Sequence, residues 1–348
     1  MVRYRDAERK RHEETISHLY PYCFVEDESA EWIDAIAKEK GFRGMYGESL
    51  TKVVMSDPSE IGAIAKEGPT WEANIPFVNR VLADRLGPDG MPFENYDHRI
   101  WYLDCEWNPT TNRLRMIVVY DNYTDTEYVW FVHKDYDEGR RHSLGNLTFP
   151  VPALSFNTER EMLEHFINHM KRQDPDVITG WYVVGADIKT IIERCKANDL
   201  SPNHLSPHRR IRYEFGDWDQ PIPGRNCIDL MLAFSKLWEL KNGKLPAYGL
   251  ADVSQEVLKE SKVELPDGHD TYHTDLPLYV DYCLQDVRLL PKLDAKVNAI
   301  EYYLALQHLV QCDIRSTPHI TKMFTCLVLQ DPEKSAAIPT RPQFEKES

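Results

Sequence analysis

Two acids, Asp104 and Glu106, stand one residue apart inside the otherwise apolar run RIWYLDCEW at 99–107. Strand side chains alternate, so both carboxylates point to one face, together with Ile100 and Tyr102. Aligned carboxylates in such a strand repel each other and lose hydration unless a cation sits between them. A divalent metal meets that need. Taken alone, Asp-x-Glu is read just as well as a solvent-facing edge strand with two harmless acids.

The neighbouring segments build a sheet around that strand. NPTTN (108–112) reads as a turn, RLRMIVVYD (113–121) as a second strand and EYVWFVH (127–133) as a third, the pattern of an antiparallel meander. Met162, Leu163, Phe166, Ile167 and Met170 recur at helical spacing. DPDVITGWYVV (174–184) returns to a strand, and DIKTIIERCKAND (187–199) starts another helix. Residues 201–226 are basic and loop-like. A further helix begins at Asp275, with Pro277 in its first turn, and Pro291 is expected to kink or divide it. Residues 1–98 mix short apolar runs with turn signals such as DPSE (57–60) and GPDGMP (87–92). The fold class this implies is α/β: an RNase H-like (DnaQ-type) domain with a mixed sheet and flanking helices over 99–300. An α+β N-terminal domain precedes it over 1–98, and residues 301–348 read as a helical tail.

Composition narrows the class. With 348 residues, 42% hydrophobic and 11% aromatic, the chain can bury two cores, which excludes global disorder. Seven scattered cysteines without a CxxC pair point to reduced thiols in a cytoplasmic protein. No stretch approaches the roughly 18 apolar residues that cross a bilayer, so no membrane association is expected. A net charge of −15 argues against coating duplex DNA through a broad basic face, but not against gripping a few nucleotides at one end.

Further acids join the pair. Asp187 follows a strand at the first turn of a helix, where an acid alone would be read as a cap. Tyr282 and Asp286, spaced i, i+4, share one helical face. In this order Asp104, Glu106, Asp187 and Asp286 supply four carboxylates able to hold two hard divalent cations, as in-line phosphodiester hydrolysis requires.

DCE at 104–106, GWYVVGAD at 180–187 and YCLQD at 282–286 resemble the three exonuclease motifs of family B DNA polymerases. PDVITGW, CIDLMLAFSKLW (227–238) and LPAYGLADVSQEVL (245–258) agree with them, and LSPHRRIRYE (205–214) is similar to the T-even phage branch, where a β-hairpin after the second motif helps separate strands. KVVMSDPSEI and WEANIPFVNRVL look like that family's N-terminal domain, and the resemblance implies that the 301–348 tail returns to that domain and leads toward an absent palm. The resemblance implies a 3′→5′ proofreading exonuclease that uses two Mg²⁺ or Mn²⁺ ions on the 3′ end of single-stranded DNA. Asp104, Glu106 and Asp286 would hold the nucleophile-side ion, and Asp104 with Asp187 the other. Tyr282 would orient the attacking water. The family carries Asn and Phe where this chain has Tyr182 and Ala186, which puts contacts to the terminal nucleotides in question. The resemblance also implies a separate palm-containing polymerase chain as partner, and host cytoplasm as the location if phage-encoded.

Other features read as bland. His165 and His169 are taken as surface histidines, as are His269 and His273; Asp229 is taken as a helix cap. HRRIR (208–212) reads equally as a DNA-steering patch or a solvated loop. YTDTEYVW (123–130) and SHLYPY (17–22) fail as polymerase motifs on spacing and context. Two competing functions remain: a stand-alone exonuclease of the same fold, and a noncatalytic DNA-binding or assembly subunit.

Overall fold

The computed structural model describes residues 2–6, 8–15, 17–86, 97–135, 140–141, 151 and 153–340. The GPDGMP turn at 87–92 and the last eight residues lie outside them. Contacts divide the described residues into two units, one from 2–6, 10–86 and 304–340, the other essentially 97–303.

In the first unit, β1 (Tyr22–Glu26), β2 (Ala37–Arg43) and β3 (Ser49–Val54) form an antiparallel sheet with β3 in the middle. Two helices follow, α1 (Pro58–Glu67) and α2 (Phe77–Leu86). Asp57 and Glu60 close a capping box at the start of α1, satisfying amides that the first turn leaves open.

The second unit is a six-stranded mixed sheet. β4 (Ile100–Trp107), β5 (Leu114–Asp121) and β6 (Thr126–Val132) form the antiparallel meander that their turns foretell. β7 (Ala153–Phe156) adds to β6 in parallel, while β8 (Val177–Gly180) runs parallel to both β4 and β9 (Asn226–Asp229). Gly180 is required where β8 meets β4, since a Cβ there would lie 2.2 Å from the Leu103 carbonyl oxygen. α3 (Glu159–Gln173) and α4 (Lys189–Ala197) cover one face, burying Met162, Phe166 and Ile191 against Trp101, Leu103 and Trp130. α5 (Leu230–Asn242) and α6 (Leu276–Val297) complete the unit. α6 runs through Pro291 without dividing there. Its flanking residues Leu289, Leu290 and Leu293 are all buried, and this packing outweighs the bond that proline removes.

Two expectations need correction. His169 is buried, not superficial: its ring stacks on Trp101 at 5.7 Å and lies 4.6 Å from Tyr128. Burial pushes its pKa down to about 4, so it stays neutral. Between Leu205 and Asn226 the described residues form turns and no strand; the Arg212 N–H donates to Pro221 O at 3.0 Å, beside short turn bonds such as that from the Asp219 N–H to Gly216 O. The strand-separating hairpin of the phage-like branch is therefore absent from this stretch.

α7 (Ala299–Val310) leads out of the nuclease-like unit, and α8 (Ile320–Gln330) belongs to the first. No helix among the described residues is long and apolar enough to cross a membrane.

Candidate active site

Strand alternation sets the site. Trp101, Leu103 and Cys105 enter the core beneath α3 and α4, which turns Tyr102, Asp104 and Glu106 toward α6. There the Tyr102 hydroxyl donates to Asp294 Oδ2 at 2.8 Å, and the Tyr279 hydroxyl donates to Glu106 Oε2 at 3.2 Å. α6 is started by Asp275, whose carboxylate accepts the Leu278 N–H at 3.1 Å. One turn apart on α6, Tyr282 and Asp286 face the strand.

Carboxylate oxygens of Asp104, Glu106 and Asp286 all come within 4.8 Å of one another. Asp187 falls outside that trio. It lies in a π-turn, Val184–Ile188, between β8 and α4, and its Oδ1 accepts the Cys105 N–H at 2.9 Å. It is no helix cap; it ties the π-turn to the middle of β4. Asp229 does cap α5, accepting the Leu232 and Val184 N–H groups, each at 3.3 Å.

The electrostatics of the trio are unfavourable. Burial, then repulsion from Asp187, Asp286 and Glu106, raises Asp104 well above the usual carboxylate range. Burial and Asp286 push Glu106 up to about 7, and burial also raises Asp187 and Asp286. Asp286 Oδ1 is buried without a hydrogen-bond partner. Its other oxygen is 2.6 Å from Lys262 Nζ, which also reaches the Tyr282 hydroxyl at 3.4 Å. Burial alone would lower the Lys262 pKa, but Asp286 outweighs it and raises the value. One ammonium facing this many acids leaves negative charge unmet. A crowd of oxygen donors, one of them orphaned, suits a hard divalent cation.

Sequence reasoning passed over three residues here. Lys262 sits in a loop with no periodicity to betray it. Tyr279 read as ordinary helix core. Arg115 did carry a signal, being a cation within the apolar run RLRMIVVY, as conspicuous there as the acids in β4. Tyr182 is exposed with φ +63° and lies against Gly185, where a Cβ would approach its Cζ to 2.4 Å. Glu127, in the segment resembling a polymerase motif, is held bidentately by Arg288 at 2.6 and 2.7 Å.

A mixed sheet of this order, with acids at its centre and more on a crossing helix, is the arrangement of an RNase H-like fold. Residues 115–250 match the family described as DNA polymerase family B, exonuclease domain. A DNA polymerase of Thermococcus litoralis is 24% identical over 249 residues, covering 67% of this chain and 13% of its own length. The DNA-directed DNA polymerase of Enterobacteria phage T4 is 26% identical over 168 residues, 45% of this chain and 18% of its own. A DNA polymerase of Thermococcus aggregans is 22% identical over 337 residues, 90% of this chain and 17% of its own. The chain thus spans less than a fifth of the length of each of these relatives.

Proposed function

We propose that this chain is a metal-dependent 3′→5′ exonuclease acting on single-stranded DNA ends, the proofreading activity of a family B polymerase. The observation that carries the reading is the Asp104–Glu106–Asp286 trio, with its raised pKa values and one unpartnered oxygen, on elements that flank the matched residues 115–250. A bound pair of Mg²⁺ or Mn²⁺ ions supplies an activated water and charge relief for the departing 3′ oxygen. Asp104, Glu106 and Asp286 would hold one ion, and Asp104 with Asp187 the other. The Cys105 amide holds Asp187 Oδ1 and so fixes this carboxylate beside β4. Tyr282 orients the water through its hydroxyl. Lys262, in contact with both Asp286 and that hydroxyl, sets the direction in which Tyr282 points. Burial holds the Tyr282 pKa above its ordinary value, so the phenol serves as a hydrogen-bonding group and not as a base.

In this reading polymerisation belongs to a palm-bearing polypeptide that α8 helps recruit. Ile320, Phe324 and Leu327, at i, i+4 and i+7, expose one apolar stripe of that helix. The test uses an oligonucleotide labelled at either end, with Mg²⁺, Mn²⁺ or chelator. Mononucleotide release from the 3′ end that stops in chelator is expected. Release from the 5′ end, or cleavage that persists in chelator, defeats the nuclease reading. Primer extension by the purified chain alone defeats the partner reading.

A further inference from the structure

β5 carries a bulge beside the site. The ladder runs from Asp104↔Val118 to Glu106↔Met116 and then jumps to Trp107↔Leu114, leaving Arg115 as the extra residue. Leu114, Ile117 and Val119 all pack into the core on the α3 side. Regular alternation cannot put both Leu114 and Ile117 on one face; the bulge does so by turning Arg115 and Met116 together toward the other. A permanent cation is thereby set, 4% exposed, on the face that carries Glu106.

Among the described residues, the guanidinium engages the short segment 268–274. It donates to the His269 carbonyl oxygen at 3.2 Å, meets His273 Nε2 at 3.2 Å and lies 4.7 Å from the centre of the Tyr272 ring. That segment leads back to Glu106 by two routes. His269 Nδ1 is 3.9 Å from Glu106 Oε2. The Tyr272 ring stands edge-on against Tyr279 at 5.4 Å, whose hydroxyl donates to the same oxygen.

Resting on the nuclease reading above, we infer that Arg115 is a positioning residue for metal binding: through residues 268–274 it fixes the Glu106 carboxylate in the orientation that completes the trio. A guanidinium suits the task because its planar fork reaches a carbonyl and a ring nitrogen at once, and its charge cannot be titrated away. Packing alone would not call for it, since an apolar residue fills a bulge without the cost of burying a cation. Arg115 also lowers the pKa of Glu106, against the larger upward push of burial.

The test measures Mn²⁺ binding by calorimetry on the full chain, alongside cleavage across a Mn²⁺ titration. Arg115→Met should weaken Mn²⁺ binding about tenfold, as loss of a group that orients a ligand does. It should shift the activation midpoint equally and return most of the cleavage rate at saturating metal. Arg115→Lys, which keeps the charge but loses the fork, should fall between. If both variants fold and bind Mn²⁺ like the parent chain, the inference is overturned; a purely structural role would change only the unfolding midpoint. Should Arg115→Met fail to fold, Arg115→Lys and His273→Phe decide, and parental Mn²⁺ affinity in both overturns it. A parent chain that binds Mn²⁺ yet cleaves nothing sinks the nuclease reading while binding still reads out the role of Arg115.

Discussion

Buried acids meet opposite fates in the two units. In the first, Glu72 has a fully buried side chain, with Arg80 at 2.7 Å, Lys334 at 2.6 Å and the Ile338 N–H at 3.0 Å. Burial pushes its pKa up, but the two cations and the amide overcome this and lower it. In the second, the Asp104–Glu106–Asp286 trio has Lys262 as its one direct ion-paired lysine or arginine among the described residues, and all three values rise. Desolvation is common to both; compensation is what differs. Glu72 is finished by the protein and joins the C-terminal stretch to the turn before α2. The trio is left for something else to finish, which distinguishes a ligand-binding arrangement from a structural ion pair.

Removing each side of the contrast tests it. The largest effect is expected from Asp104→Ala with Glu106→Ala, which should cut hydrolysis by on the order of a thousandfold or more, because metal ligands act as a unit. Its metal-free unfolding midpoint should not fall, since mutually repelling acids are removed. Parental cleavage rates in this variant would break the assignment. Next, Glu72→Ala strands Arg80 and Lys334 in a buried place and should cost about 3–5 kcal/mol in denaturant unfolding, with Mn²⁺ affinity unchanged. A stability loss below about 1 kcal/mol would mean that Glu72 is not the compensated structural acid described.

The smallest effect is in pH dependence, where the signs oppose. Glu106 moves from an ordinary 4.5 to about 7, so the folded metal-free chain keeps a proton that the unfolded chain has lost. Its contribution is full below about pH 4.5 and disappears as pH rises through about 7. Asp104, Asp187 and Asp286, also raised, act in the same direction. Glu72, being lowered, contributes above its unfolded value and loses that contribution as the solution is acidified through its folded value. Thermal unfolding in chelator should therefore show stability falling between about pH 5 and about pH 8, and Mn²⁺ should raise Tm more at the upper end. An equal Mn²⁺ effect at both ends would show that the acids are already ionised without metal.

Local rules of the chain were enough for part of this protein. Period-two alternation through RIWYLDCEW put Asp104 and Glu106 on one face, and i, i+4 spacing put Tyr282 with Asp286. The β4–β6 meander followed from its turn residues, and the N-terminus of α6 from Asp275 and Pro277. These features depend on neighbours within a few positions, so they survive without knowledge of the rest. Long-range packing decided what local rules left open. Asp187 spends one oxygen on an amide 82 residues away, and Lys262 finds Asp286 from an aperiodic loop. Arg115 faces the site only because a bulge shifts the register by one, and His169 is buried only because two strands, β4 and β6, bring aromatics around it. Each of these outcomes turns on which distant group arrives to satisfy a polar atom, and that is settled when the sheet closes, not by the order of residues along the strand.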